Sequence, residues 1–376
     1  MKNRKKILFV EYFSFLGGGQ VVLLNLLKYL KNDYEIYFLL FNRGQIEKKL
    51  KELKINYFFI KAPDKVKYRY FWKMIPVLIK IYRFIKKLKP DIIYANCYFA
   101  VKLLAPVLKI FKIKTIWHKH IIIEKNYNSY LAREIRKYSK FVEKIICVSK
   151  AVKESLIKIG VCEKKLVVIY NGIEFEKNKN DMRETIRKKY NLNKKFVIGA
   201  IGYFRENKRF DIFIEMAKIL KNFDSNFRFI LSGETVNGNN FLENKLKAMV
   251  KNYQLNDIFI FTGYIDRYKI LPAFDFFVLP SQAEPFGLVT LEALSLGIPI
   301  IAFATGGTKE ILKNNETGFL VKKAEAKYLA NKILKVYKNK KLLDKIKANS
   351  KKLVENKFDL KIQIANIKYL IENIVK

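Results

Sequence analysis

Short runs of β-branched, aliphatic and aromatic residues recur along the chain, separated by amphipathic stretches. In the first half they are 6–12 (KILFVEY), 34–41 (YEIYFLLF), 91–96, 114–118, 144–149 and 166–172. In the second half they are 196–202, 227–233, 257–264, 275–281 and 298–303. Apolar positions within each run are nearly continuous, as in parallel strands covered on both faces. Between the runs, apolar residues recur at helical spacing, for example over 21–31 and 210–222. Strand–helix alternation of this kind predicts an α/β fold with parallel sheets.

The alternation restarts once. Residues 174–195 (EFEKNKNDMRETIRKKYNLNKK) hold no strand pattern and read as a linker with a short helix. The expected organisation is a Rossmann-like doubly wound domain over 1–174, a linker over 175–195 and a second Rossmann-like domain over 196–355. An amphipathic terminal helix over 356–376 follows. A length of 376 residues suits two domains. Two such domains in tandem are expected to direct the C-terminal ends of both sheets toward a central cleft, where such folds bind ligands.

Hydrophobic residues make up 50% of the chain and aromatics 14%, which excludes a disordered protein. Lys and Arg number 74 against 34 Asp and Glu, a net charge of +40. Residues 1–190 carry 43 basic and 16 acidic side chains, so anionic partners are expected at the first half. Cys97, Cys147 and Cys162 are far apart and form no C-x-x-C pair, which argues against disulfides and against zinc. They read as small core hydrophobes in a reducing compartment. The basic N-terminus does not continue as a signal peptide, because its apolar run is short and broken by Glu11. No window approaches the ~18 uninterrupted apolar residues of a membrane span. The expected location is the cytoplasm, with peripheral contact at the inner face of the membrane.

Candidate chemistry concentrates in 281–307, SQAEPFGLVTLEALSLGIPIIAFATGG. A buried strand ends before a loop with Pro285 and Gly287, and a helix runs from about Leu288 to Leu296. Free N–H groups at a helix start favour phosphate, and Gly287 lets backbone approach a ligand closely. Glu284 in the loop and Glu292 in the helix could then receive sugar and ribose hydroxyls. Taken alone, the two glutamates read more simply as a turn residue and a solvated helix position.

The flanking string changes that reading. EPFGLVTLEALSLGIPIIA, with Glu284 and Glu292 separated by seven residues, closely resembles the signature of glycosyltransferase family 4, retaining enzymes of the GT-B fold. Other segments resemble the same family in order. Gly17, Gly18, Gly19 and Gln20 stand where the family has a G-G-A-E loop, and Asn171-Gly172-Ile173 matches its N-G-[IV] turn. The stretch 201–220 is similar to the element G-R-x-x-x-x-K-G, with Gly202 and Lys208 in register. Tyr203 replaces the Arg, and Arg205 stands nearby as its substitute. The resemblance covers about residues 6–350 and implies Glu284, Lys208 and His120 as catalytic residues, with His118 as an alternative sugar or acceptor contact. It implies donor binding by Arg205, Gly202, Phe286, Gly287, Leu288, Val289 and Glu292. No D-x-D motif occurs, and the family implies transfer without metal or cofactor.

The implied partners are a nucleoside diphosphate sugar and a glycan or lipid-linked acceptor of cell-surface polysaccharide or lipopolysaccharide synthesis. An epimerase or other sugar-phosphate enzyme on the same fold is the first rival. A nucleic-acid-binding protein is the second, but no helix-turn-helix, zinc-finger or RNA-binding signature supports it, so no nucleic-acid partner is expected. Residues 66–90 hold eight basic side chains (Lys67, Arg69, Lys73, Lys80, Arg83, Lys86, Lys87, Lys89) and no acid. Tyr68, Tyr70, Phe71, Trp72, Tyr82 and Phe84 lie among them. Such a basic amphipathic segment predicts contact with an anionic membrane surface. Ile75, Leu78, Ile79, Tyr82 and Ile85 are expected to pack inward, and Lys73, Lys80, Arg83 and Lys87 to face headgroups. Arg133, Arg136, Lys137 and Lys140 form a second basic stripe.

Overall fold

The computed structural model describes residues 4–62, 74–123, 129–175, 180–235 and 240–376. The chain divides into two compact units, Met1–Asn171 with Lys361–Lys376, and Gly172–Leu360. The first unit contains β1 (Lys6–Glu11), β2 (Glu35–Leu40), β3 (Asn56–Phe59), β4 (Ile92–Ala95), β5 (Thr115–Lys119), β6 (Lys144–Cys147) and β7 (Leu166–Val168). These pair in parallel in the order β3-β2-β1-β4-β5-β6-β7. The second contains β8 (Phe196–Ile201), β9 (Phe227–Ser232), β10 (Phe259–Gly263), β11 (Phe276–Leu279), β12 (Ile300–Phe303) and β13 (Phe319–Val321). Their order is β10-β9-β8-β11-β12-β13, again all parallel.

The α/β class and the two doubly wound sheets expected from the pattern are present. The central strands β1, β4, β8 and β11 are buried along almost their whole length, which explains their unbroken apolar sequence. Two strands, β3 and β13, were not expected. Both are short: β3 has no buried position and β13 spans three residues, so neither carries a long buried run. Each sheet reverses its strand order once, between β1 and β4 and between β8 and β11. Loops leaving the C-terminal ends of these four strands are therefore the places to look for ligands.

The stretch read as a linker carries the helix Asn180–Lys189, and that helix belongs to the second unit. Arg183 and Arg187 grip Asp275 at 2.7 and 2.5 Å, and the same carboxylate accepts the Val197 N–H at 2.7 Å. Asp275 thus ties the helix to the start of β8. The last helix, Leu360–Val375, lies against the first unit from Lys361 onward. Its Glu372 accepts from Lys5 Nζ at 2.9 Å and Tyr34 OH at 2.7 Å, and its Lys368 meets Asp33 at 2.6 Å.

Two expectations are corrected. In the helix Ile75–Leu88 the packed stripe is Val77, Ile81 and Ile85. Of the face expected inward only Ile85 is buried, while Ile75 and Ile79 stand 48% and 44% exposed. Apolar residues occur on two sides of this helix, and the i, i+4 series that begins at Val77 is the one that is buried. Ile75 and Ile79 share the exposed surface with Lys80, Arg83, Lys86 and Lys87. Lys67, Tyr68, Arg69, Tyr70, Phe71, Trp72 and Lys73 lie outside the described residues. Of the three cysteines only Cys147 is a buried hydrophobe. Cys162 is exposed beside a 3-10 turn, and Cys97 is half-buried at the N-cap of the helix Tyr98–Phe111.

Candidate active site

In the second unit the loops after β8 and β11 meet. A 3-10 turn over Glu206–Lys208 follows β8, and Lys208 Nζ reaches Glu284 Oε2 at 2.6 Å. The two side chains are only 24% and 10% exposed, so each largely relies on the other for its charge partner. Backbone contacts fix the loop that carries Glu284. Gln282 N–H donates to Asn207 O at 3.3 Å, and Gly307 N–H donates to Glu284 O at 2.9 Å. A Cβ at Gly307 would stand 2.3 Å from Pro285 O, so this approach requires glycine.

The helix Leu288–Ser295 starts at Gly287, whose φ of +94° suits glycine alone without strain. Thr290 and Leu291 N–H both turn back to Gly287 O, so Leu288 and Val289 N–H precede the intrahelical ladder and point out of the helix start. Ser281 Oγ and Thr290 Oγ1 are buried without a hydrogen-bond partner among the described residues. Phe286 is buried, its ring 5.8 Å from that of Phe358.

Glu292 is 2% exposed and meets Arg267 Nη1 at 3.2 Å. Arg267 opens a short helix after β10 and was not anticipated. Its sequence signal is weak: a single basic residue in a Gly-Tyr-Ile-Asp-Arg loop of a chain rich in lysine and arginine. Arg205 is exposed, with its guanidinium 5.9 Å from the Tyr203 ring. Burial raises the Tyr203 phenol, helped by Glu234 and Tyr264, while Arg205 and Arg267 oppose the rise. Gly202 N–H is bonded to Ser232 O at 3.0 Å, within the cross-links between the ends of β8 and β9. Lys208, Arg205 and Arg267 therefore ring the C-terminal ends of β8 and β10 with cationic groups, beside two buried glutamates.

The first unit has its own polar centre at its strand reversal. Glu11 ends β1 with no exposure and accepts four N–H groups. Oε1 takes Tyr12 N at 2.8 Å and Phe13 N at 3.0 Å, and Oε2 takes Gln20 Nε2 at 3.2 Å and Asn96 Nδ2 at 2.7 Å. Gln20 also accepts the Gly17 N–H at 3.1 Å, which closes the glycine turn at the start of the helix Gly18–Leu30. A Cβ on Gly19 would lie 3.0 Å from the His120 ring, so that ring needs the bare backbone there. His120 is half-buried, with Nε2 2.9 Å from Asn96 Oδ1. His118 is fully buried, its Nδ1 on Tyr94 OH at 2.7 Å, and its ring centroid lies 4.1 Å from that of His120. Burial, then the Lys119 charge, lowers His120 to about 3, and burial lowers Lys119 to about 8.

Glu11 and Asn96 were absent from the expected site. Their signal was positional, since each is the polar residue that closes an apolar strand at the reversal point. Among the described residues no group of three or more His, Cys, Asp or Glu side chains is arranged to hold a metal ion.

Comparison with known proteins agrees with this architecture. The model of the glycosyl transferases group 1 matches residues 182–353, and that of Glycosyltransferase Family 4 matches residues 16–177. A galactosyltransferase of Escherichia coli, UDP-Gal:alpha-D-GlcNAc-diphosphoundecaprenol alpha-1,3-galactosyltransferase, is 28% identical over 398 aligned positions, covering 99% of this chain and 98% of that one. The capsular polysaccharide biosynthesis glycosyltransferase CapM of Staphylococcus aureus is 29% identical over 225 residues, and the chain spans 58% of its length. Among solved structures, Anabaena HepE in complex with UDP and glucose superposes with a TM-score of 0.88 at 22% identity, over 98% of this chain and 100% of that one. The fold is that of the GT-B glycosyltransferases. The chain belongs to glycosyltransferase family 4.

Proposed function

We propose that the protein transfers a sugar, with retention of anomeric configuration and without a metal, from a nucleoside diphosphate sugar to a glycan or lipid-linked acceptor of cell-surface polysaccharide assembly. The observation that carries this reading is the Lys208–Glu284 pair at the second sheet's reversal point, beside the free start of the helix Leu288–Ser295. In this reading the diphosphate displaces Glu284 from Lys208 and draws on Arg205 and on the Leu288 and Val289 N–H groups. Glu284 then holds sugar hydroxyls, and Glu292, braced by Arg267, takes the ribose.

The bond from the anomeric carbon to the phosphate oxygen breaks through an oxocarbenium-like state. The acceptor oxygen bonds to the same face of that carbon, and its proton passes to an oxygen of the departing diphosphate. Fixed cations and N–H groups aimed at the leaving oxygens stabilise the charge that builds there. No strong protein base is required. In the first unit, His120 is assigned a catalytic role on the family resemblance. Thermal-shift screening with UDP-, GDP- and ADP-sugars, followed by product analysis with a labelled donor, tests the reading. Stabilisation by one nucleotide-sugar and a product of retained configuration is expected. An epimerised donor with no acceptor product would favour the rival enzyme class.

A lipid-linked acceptor fits the activity of the Escherichia coli relative, a transferase to a diphosphoundecaprenol-linked sugar. It also fits the exposed face of the helix Ile75–Leu88, where Ile75 and Ile79 stand among Lys80, Arg83, Lys86 and Lys87. A further helix of the first unit, Tyr130–Tyr138, exposes Tyr130, Leu131, Arg133, Arg136 and Lys137. Among the described residues no helix is long and apolar enough to cross a membrane. Apolar side chains set in a basic field suit shallow docking on anionic lipid. The proposed location is the cytoplasmic face of the membrane.

A further inference from the structure

The hydrogen bonds around Glu11 determine where His120 carries its proton. Asn96 Nδ2 faces two atoms that can only accept, Glu11 Oε2 at 2.7 Å and Gly19 O at 3.3 Å. This fixes the orientation of the Asn96 amide. Its Oδ1 is then the atom 2.9 Å from His120 Nε2, and an amide oxygen accepts only. His120 Nε2 must donate, and a neutral imidazole with a proton on Nε2 has a bare Nδ1. Glu11 cannot rotate to offer a different pattern, because the Tyr12 and Phe13 backbone N–H groups hold its other oxygen.

We propose that Glu11 and Asn96 act as a positioning relay that locks His120 in its Nε2–H form, so that Nδ1 presents a lone pair to a substrate hydroxyl. The carboxylate holds the amide, the amide holds the imidazole, and the Gly17–Gly19 turn is tied in through Gln20 and the Gly19 carbonyl. The Nδ1 atom can accept a hydrogen bond from a sugar or acceptor hydroxyl, which the other tautomer could not do. The catalytic consequence rests on the reading that His120 serves transfer. The lock itself does not, since all its members lie in the first unit.

The relay can be reversed by an isosteric change. Glu11→Gln introduces an N–H₂ group that must avoid the two backbone donors and therefore turns toward Asn96, with loss of the bond that Gln20 Nε2 gives to this position. The Asn96 amide then flips and offers Nδ2 to the imidazole, which moves the His120 proton to Nδ1. Asn96→Leu removes the relay altogether. Only two histidines occur in the chain, so long-range ¹H–¹⁵N correlation spectra of histidine-labelled protein resolve both rings, with His118→Gln to assign them. The expected wild-type spectrum shows His120 protonated at Nε2 and bare at Nδ1. In Glu11→Gln the proton shifts to Nδ1, in Asn96→Leu both forms appear, and kcat falls about tenfold in each, the worth of one lost hydrogen bond, with little change in donor KM. A wild-type His120 protonated at Nδ1, or an Nε2–H form unchanged in folded Glu11→Gln and Asn96→Leu, overturns the relay. Tautomer changes with unaltered turnover leave the relay standing and instead remove His120 from the transfer reaction.

Discussion

Lys208 Nζ stands 2.6 Å from Glu284 Oε2 and joins the loops that follow β8 and β11 across the reversal of the second sheet. The pair binds two segments 76 residues apart, and neither side chain is more than a quarter exposed. Removing one member leaves a partly buried charge without its partner. Lys208→Ala should lower the unfolding free energy by about 1–3 kcal/mol, and adding Glu284→Ala should restore part of that loss. Urea titration of both single variants and the double variant checks this. Strict additivity would mean that the two side chains do not interact in solution.

Arg267 braces Glu292 from the loop after β10. Glu292 is 3% exposed at its side chain, so its contact with Arg267 is made largely out of water. Arg267→Ala should raise the KM for the donor about tenfold, the equivalent of roughly 1.4 kcal/mol, and leave kcat closer to wild type. Steady-state kinetics with varied donor separates the two constants. A fall in kcat alone would assign Arg267 to the transition state and not to donor capture.

The exposed basic face of the first unit should bind anionic vesicles and release them at high salt. A basic side chain near such a surface is worth about 1 kcal/mol, so Lys80→Ala with Arg83→Ala should weaken partitioning roughly thirtyfold. Ile79→Ser should weaken it without altering the salt dependence, because it removes apolar insertion and not cationic attraction. Co-sedimentation with phosphatidylglycerol vesicles measures both. Equal affinity for neutral vesicles would contradict the electrostatic part.

The last helix should loosen in acid. The Tyr34 hydroxyl and then Lys5 hold the Glu372 carboxyl below the usual carboxylate range. A carboxyl lowered by folding contributes stability that is present above its unfolded value of about 4.3 and is lost as pH falls through the folded value. Glu372 is 45% exposed, so solvent screening keeps this contribution below about 1 kcal/mol. Glu372→Gln should therefore lower the melting midpoint slightly at pH 7 and converge with wild type as pH falls below the usual carboxylate range. A difference that grows on acidification would reverse the assigned sign.

Much of the fold was legible in the sequence. Strands buried on both faces, such as β1 and β8, must be apolar throughout, and the glycines at 17–19 and 287 sit at helix starts where backbone approaches a neighbour. Strands β3 and β13 escaped because β3 has no buried position and β13 is only three residues long. The inward face of the helix Ile75–Leu88 was misplaced because two apolar faces compete in its sequence, and only tertiary packing decides between them. Lys208 and Glu284 were legible through their motif positions, but their direct pairing was not, since 76 residues separate them. Glu11, Asn96 and Arg267 act through three-dimensional partners that no local spacing reveals.

The central claim is that the loops after β8 and β11 grip the diphosphate and sugar of an activated donor. Its most direct test is the rate of sugar release from a labelled nucleotide-sugar, to acceptor or to water, by wild type, Lys208→Ala and Glu284→Gln under single-turnover conditions. Loss of one charged contact in a preorganised site costs roughly 2.7–4 kcal/mol, so each folded variant should be about a hundred- to a thousandfold slower. Folded variants that cleave the donor at the wild-type rate would contradict the account.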